Sequence, residues 1–436
     1  MVVRDLPHHH RHPRTDGSPV PITDVDAPQD GERAHPLAEA HHHALAAVAA
    51  LGLTAELTPV PAARPGLGTG AWHCVLHRDG VALEYGRGSG KGADAAARVG
   101  AVYEALEHHL GCVPDPRELV LRTAHEVAVP ADAGDALLAL LAEGPDRPLA
   151  CLPHRSLTGG ADLDVPAFVS MPGYLLQPPA VRAAAGDTYD YGVVARYSTN
   201  NGWAAGRTPD EAVVHALNEI VERDAMSLLL VRQFLADPPG TLSVLDPATL
   251  PGGLAELHAT AERVVGTRVW LLDMTTDLGV PAYWAYVAPT PGQPSRFRGC
   301  GASLSPRYAV ERALYELVQC HSGLHATPSA SGTEPVRTAA YPALHRCYLA
   351  DLSDRLPGAT RVPFAGRETP GTPRGHRDRL LDLLAGHGHQ VWAREQYVGE
   401  HLAVVTVHVP GLERFMIVGD DEIVVPGARG RAAARR

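Results

Sequence analysis

Three segments of one kind recur along the chain: Val102-Tyr103-Glu104-Ala105-Leu106-Glu107, Leu217-Asn218-Glu219-Ile220-Val221-Glu222 and Leu314-Tyr315-Glu316-Leu317-Val318-Gln319. Each puts carboxylate or carboxamide oxygens at i and i+3, hence on one face of a helix. One Glu-x-x-Glu is an ordinary solvated helix face. Three copies with the same apolar neighbours are harder to read that way, and like charges at this spacing repel by about 0.2–0.5 kcal/mol. A hard cation would compensate: Mg²⁺ takes oxygen ligands and bridges protein carboxylates to substrate phosphates. Glu104, Glu107, Glu219 and Glu222, with Glu316 and Gln319, could hold two such ions against a triphosphate.

Each segment lies on a helix that follows a glycine-rich stretch, expected to be a turn. These are Gly86-Arg87-Gly88-Ser89-Gly90-Lys91-Gly92, the run from Ser198 to Pro209, and Arg298-Gly299-Cys300-Gly301. Backbone N–H groups at helix N-termini favour phosphate. Ser89-Gly90-Lys91-Gly92 is nevertheless not a Walker A loop, which needs Gly-x-x-x-x-Gly-Lys-Ser/Thr. Arg223, Arg307 and Arg312, on or beside the acidic helices, can either neutralise phosphate or pair with a glutamate; the sequence leaves both open.

The elements that position these residues follow from periodicity. An Ala-rich helix runs from Leu37 to Leu51 and stops at Gly52. Strands are expected at Trp72–Leu76 and Val81–Tyr85, then a helix through Leu110 and another around Asp135 to Ala142. Thr208 is a good N-cap and Pro209 a good first residue for a helix from Glu211 to about Phe234. Strands at Val269–Leu272 and Ala282–Val287 precede a third long helix, from Ser305 and Pro306 to about His321. Residues 326–376 are rich in Pro, Gly and Thr and read as a long loop. A helix (Arg377 to Leu384) and strands at Gln390–Arg394 and Leu402–Val409 complete the chain. Strands alternating with helices indicate an α/β (α+β) fold.

The 436 residues are 45% hydrophobic and 20% charged, as in ordinary globular proteins. No apolar stretch approaches a membrane span, and the N-terminus has no signal-peptide core, so a soluble cytoplasmic protein is expected. The six cysteines are scattered without Cys-x-x-Cys, which speaks against a disulfide framework or structural zinc. A net charge of -11 speaks against a general nucleic-acid binder. Residues 1–36, rich in Pro and His, are expected to be a disordered tail, with His8-His9-His10-Arg11-His12 as mobile polar residues. The run His41-His42-His43 makes a poor metal site because consecutive helical residues point in different directions. The last residues, 426–436, read as a basic disordered tail.

These residues together resemble the YcaO family, which uses ATP to activate a peptide-bond carbonyl. The match is most specific at Ser198-x-x-Asn201-Gly202-x-Ala204-x-Gly206, followed by Glu211-Ala212 and Ala216-Leu217-x-Glu219-x-x-Glu222-Arg223-Asp224-Ala225. Ser89-Gly90-Lys91-Gly92 before Glu104 and Glu107 is similar to the family's first motif. Ala313-Leu314-x-Glu316-x-x-Gln319 is similar to its third, and Val409-Pro410-Gly411-Leu412 to its closing strand. The resemblance implies a catalytic domain over 37–425, with mixed sheets and long helices packed around a central nucleotide site. It makes Glu104, Glu107, Glu219 and Glu222 ligands of Mg²⁺. It places Asn201, Glu211, Glu316 and Gln319 around ATP, with Arg33 where the family has a phosphate-contacting lysine; Ser89, Lys91, Ser198, Arg307 and Arg312 are further candidate ATP contacts. The chain departs from the pattern at Ala40 and Gly100, where serines are usual, and at His108, where arginine is common. It also lacks the Pro-x-Pro-x-Pro terminus of many azoline-forming members and an obvious E1-like domain.

The implied chemistry is phosphorylation of an amide oxygen in a ribosomally made precursor peptide or protein, after a nucleophile adds to the carbonyl. A Cys, Ser or Thr side chain would give an azoline, sulfide a thioamide, and an internal amine an amidine. The implied partners are the peptide, a TfuA-like or E1-like protein, and a second copy in a homodimer. No residue is assigned as catalytic base or nucleophile. Two readings compete: a non-catalytic peptide-binding protein of the same fold, and an unrelated ATP-dependent ligase.

Overall fold

The computed structural model describes residues 31–60, 70–128, 134–289, 298–326, 340–415 and 424–435. Helix α1 (Leu37–Ala50) ends just before Gly52, whose φ of +67° suits glycine. Strands β1 (Thr54–Pro59), β2 (Gly70–Arg78) and β3 (Val81–Gly92) form an antiparallel sheet, and α2 (Asp94–Gly111) follows. Next come β4 (Val120–Thr123), α3 (Ala124–Ala128), α4 (Ala136–Glu143), β5 (Pro148–Ser156), β6 (Leu163–Pro166), α5 (Ala167–Ser170) and α6 (Pro179–Ala184). Strand β7 (Trp203–Gly206) then leads into α7 (Pro209–Phe234). The third stretch holds β8 (Ser243–Leu245), α8 (Gly252–Val265), β9 (Trp270–Asp273), β10 (Ala282–Tyr286), β11 (Arg298–Ala302) and α9 (Pro306–Ala326). The chain closes with α10 (Pro342–Leu349), β12 (Thr360–Val362), α11 (Pro373–Gly386), β13 (Trp392–Val398), β14 (Ala403–His408) and α12 (Ala428–Ala433).

The other two sheets run β11-β10-β9-β8-β12 and β4-β5-β13-β14-β7, with β6 beside β5. All three acidic helices therefore arise the same way: β3, β7 and β11 each form the edge of a different sheet, and each leads directly into α2, α7 or α9. The glycine-rich stretches expected as turns are largely these edge strands. A Cβ at Gly90 would lie 1.7 Å from the Ala97 carbonyl oxygen, and one at Gly301 would lie 2.2 Å from that of Ala309. Glycine is thus required because the following helix packs backbone against backbone on its own strand, and the alternation that marks a strand is lost for the same reason.

Helix α7 is the centre of the molecule, with 19 of its 26 residues buried, including Glu211, Asn218 and Asp224. Leu217 and Ile220 pack in one cluster with Trp284 and Tyr286 of β10 and Val405 and Val407 of β14, so α7 joins two sheets. Its start is as expected: the Thr208 hydroxyl accepts from the Glu211 N–H at 3.3 Å, and Pro209 is the first helical residue. Thr208→Ala should cost about 1 kcal/mol in urea unfolding, the usual worth of an N-cap.

Three expectations about irregular segments are corrected. The stretch 326–376 carries α10 and β12, and β12 pairs in parallel with β8; residues 327–339 lie outside the described residues. The 426–436 segment contains α12, whose Arg429 pairs with buried Asp224 at 3.0 Å and also with Asp277. Removing a partner from a buried charge is costly, so this basic end is anchored by charge where composition suggested a free tail. Of the 1–36 segment, residues 31–36 are built into the core through Glu32, only 4% exposed; the His8–His12 run lies outside the described residues. Among the described residues no helix is long and apolar enough to cross a membrane.

Candidate active site

The recurring pairs, far apart in sequence, meet where the three edge strands and their helices adjoin. On α2, a Glu104 oxygen accepts the Ser89 N–H at 3.0 Å, and Glu107 accepts the Ala205 N–H of β7 at 2.9 Å. On α9, the Gln319 amide donates to the Ser89 carbonyl at 2.8 Å, and Glu316 is ion-paired with Lys91. The backbone of Ser89 is therefore gripped by α2 at its N–H and by α9 at its carbonyl. On α7, Glu219 pairs with Arg223 at 3.2 Å, one turn further along.

The electrostatics are those of too many carboxylates in one place. Burial, then Glu104 and Glu219, push the Glu107 carboxyl well above the usual range. Glu104 is raised by burial and by Glu219 despite His108, Ser89 and Lys91, which favour its charge. Glu222 is pushed up to about 7 by burial and then by Glu316, against Lys91, Arg312 and Arg223. Such shifts mark groups short of a compensating cation. Yet 39% of the Glu104 side chain is accessible, so a cation from solvent can reach the cluster. A hard dication with oxygen ligands fits this donor set.

Beside the carboxylates lies a cationic patch. A small cavity is lined by Glu32, Arg33, Glu211, His215, Asn218 and Arg312. Burial opposes charge on Arg312, but Tyr308, Glu222, Glu316 and Glu32 more than offset it; Tyr308, Glu211 and Glu32 do the same for Arg33. His215 is driven well below the usual histidine range by burial and then by Arg312, Arg33 and Lys91, so it is neutral near pH 7. Arginines beside carboxylates are the pattern needed to bind a polyphosphate together with its metal.

A model of the family described as YcaO cyclodehydratase, ATP- and Mg²⁺-binding, matches residues 89–413. The chain belongs to the YcaO family. The cofactors of this YcaO protein are accordingly ATP and Mg²⁺. An uncharacterised protein of Methanothermobacter thermautotrophicus is 30% identical over 342 residues, which cover 76% of this chain and 82% of that protein. An uncharacterised protein in the tfuA 3′ region of Rhizobium leguminosarum bv. trifolii is 30% identical over 239 residues. That match spans 52% of each chain, about half the length of the relative. In fold, the YcaO of Methanopyrus kandleri, solved bound with AMPPCP and Mg²⁺, is similar at a TM-score of 0.64 and 22% identity, covering 92% of this chain and 98% of that one.

Within this YcaO site, Arg33, Lys91, Glu104, Glu107, Glu211, Glu219, Glu222, Arg312, Glu316 and Gln319 are joined by the contacts, couplings and shared cavity just described. Ser89 enters through its backbone, while its hydroxyl lies 2.7 Å from His73 Nδ1. Ser198 turns inward and donates to the Phe168 carbonyl at 2.8 Å. Asn201, in the turn before β7, buries a side-chain oxygen with no hydrogen-bond partner among the described residues. Arg307 is exposed, about 140° around α9 from Arg312, and is not among the cavity residues. Sequence reasoning missed Glu32, which accepts from the Asn218 amide at 3.2 Å and from the Ser303 hydroxyl. It also missed His215. Glu32 sits in a stretch whose composition resembles a tail, and His215 precedes Glu219 by one turn, which is the signal that would have found it.

Proposed function

We propose that this protein activates a backbone amide of a ribosomally made peptide or protein by phosphorylating the amide oxygen, and that its product is a thioamide. The observation that carries the first part is the meeting of Glu104, Glu107, Glu219 and Glu222 beside Arg33, Lys91 and Arg312. In this reading the four glutamates hold Mg²⁺, and Arg33 and Arg312 bear on the phosphates from the cavity. Bound MgATP supplies the phosphoryl group that turns the amide oxygen into a leaving group. The protein's own contribution is positioning and charge: the Ser89 backbone, gripped by Glu104 and Gln319, fixes α2 against α9, and Glu107 fixes α2 against β7. Such fixed placement lets polar groups stabilise developing charge without rearranging.

The tfuA-region relative favours sulfide as nucleophile, with a TfuA-like partner, over azoline formation from a Cys, Ser or Thr side chain. The proposed setting is the cytoplasm, with the enzyme as a homodimer. The test is mass spectrometry of a precursor peptide co-expressed with this protein and a TfuA-like protein. Exchange of one oxygen for sulfur is expected. Loss of water would identify an azoline-forming enzyme instead. If purified protein with a TfuA-like partner, peptide, sulfide, ATP and Mg²⁺ never yields ADP, the enzymatic reading fails and peptide binding without catalysis takes its place.

A further inference from the structure

Away from the carboxylate cluster, a second group of ligand atoms converges at the start of α1. One atom each from His35, Glu39 and His43 lies within 4.8 Å of the others. His35 Nδ1 is 3.0 Å from the Glu39 carboxylate. Glu39 and His43 are four residues apart on one face of α1, and His35 joins them from the bend just before the helix, so only the last of the three consecutive histidines belongs to the group. His401, between β13 and β14 and far away in sequence, borders the group: it stacks on His43 with its Nδ1 3.1 Å from His43 Nδ1.

These residue types and spacings belong to a borderline transition-metal ion. In a tetrahedral site with bonds of about 2.0–2.1 Å, ligand atoms stand roughly 3.3–3.5 Å apart; His35 Nδ1 and Glu39 are 3.0 Å apart and all three ligand atoms lie within 4.8 Å of one another. Glu39 supplies the negative charge that a dication needs near Arg207, which acts on the His43 ring. The Glu39 side chain is 59% exposed, so ions have access. We infer that His35, Glu39 and His43 form a binding site for a Zn²⁺-type dication, separate from the magnesium cluster, with His401 packed against His43 at its border. Its position has a consequence: through the His43–His401 contact it lies where the entry of α1 meets the β13–β14 loop. The adjoining residues are Arg33, which lines the cavity, and Ala34, whose N–H donates to Glu211 at 2.5 Å. A metal here would clamp the N-terminal edge of the nucleotide pocket.

The test uses the full chain with His8, His9, His10 and His12 changed to alanine, so that the N-terminal histidines cannot contribute. After chelator treatment and dialysis, Zn²⁺ is titrated with excess Mg²⁺ present, and Co²⁺ is followed by its visible absorption. One equivalent of Zn²⁺ should bind, and the Co²⁺ spectrum should show imidazole coordination at low coordination number. His43→Asn should remove that equivalent. Glu39→Gln, at an exposed position that does not endanger folding, should weaken it by at least about 10-fold. The inference is overturned if both variants bind Zn²⁺ like their parent, if the parent binds none, or if the bound equivalent disappears only with Glu219→Ala.

Discussion

Glu219→Ala is expected to lower peptide- and Mg²⁺-dependent ADP formation by more than about 100-fold, a loss larger than that typical for residues that merely orient a metal ligand. Glu219 stands between the two halves of the cluster: it raises both Glu104 and Glu107, and it pairs with Arg223, which in turn bears on Glu222. If Glu219 is a magnesium ligand as proposed, removing it takes away a cation ligand and leaves Arg223 to repel the metal. Titration calorimetry should show nucleotide affinity falling with Mg²⁺ present and little changed in EDTA, because the variant keeps Arg33 and Arg312, the proposed phosphate contacts. Arg223→Ala in the same background separates the two causes. If the alanine variant forms ADP at the normal rate, Glu219 is not a metal ligand and the cluster is a structural ion-pair network.

The part of this site that could be read from sequence is the part written in local spacing. Glu-x-x-Glu places two carboxylates on one face whatever the fold, and Thr208-Pro209 fixes where α7 begins. Long-range information was needed for what joins these pieces. Nothing local says that the Gln319 amide reaches the Ser89 carbonyl, or that Lys91 is occupied by Glu316. The third pair differs from the first two in what it joins: its glutamate pairs with Lys91 of β3 and its glutamine holds the Ser89 carbonyl of the same strand. The glycine stretches misled for a physical reason. Glycine marks both a turn and a strand on which a helix lies in backbone contact, and only the helix distinguishes them. Glu32 and Arg429 lie in segments of tail-like composition, and each is held by charged or polar partners more than 150 residues away, Asn218 and Asp224. Composition averages over such single contacts and cannot register them.

The same crowding that prepares the cluster for a cation should make the metal-free protein less stable as pH rises, and Glu222 is where this can be isolated. Its carboxyl moves from an ordinary value of 4.5 to about 7, first through burial and then through Glu316. The folded state thus binds this proton more tightly than the unfolded chain. Stability from this group is complete below about pH 4.5, falls as pH rises toward 7, and stays lost above it, by on the order of 1–3 kcal/mol after allowance for solvent screening. Histidines held low act in the opposite direction: His154, pushed down to about 4 by burial, and His408, lowered by burial and then Arg414, add stability as pH rises toward 6.5. The raw profile therefore mixes both signs. Comparison with Glu222→Gln cancels the histidines, since glutamine keeps the shape and cannot ionise. In EDTA, the variant should gain stability over the parent between about pH 5 and pH 7.5, seen as a higher urea midpoint at the upper pH only. Saturating Mg²⁺ with a non-hydrolysable nucleotide should reverse the order, because a ligand that binds only the folded state stabilises the chain that still has the carboxylate. If the two proteins keep the same midpoint difference at both pH values, Glu222 carries no shifted proton; if Mg²⁺ and nucleotide stabilise both equally, it holds no metal. The expected reversal would mean that nucleotide-bound Mg²⁺ offsets the burial, and after it the repulsion from Glu316, that the Glu222 carboxylate bears without metal, so that affinity for the cofactor and instability without it have one origin.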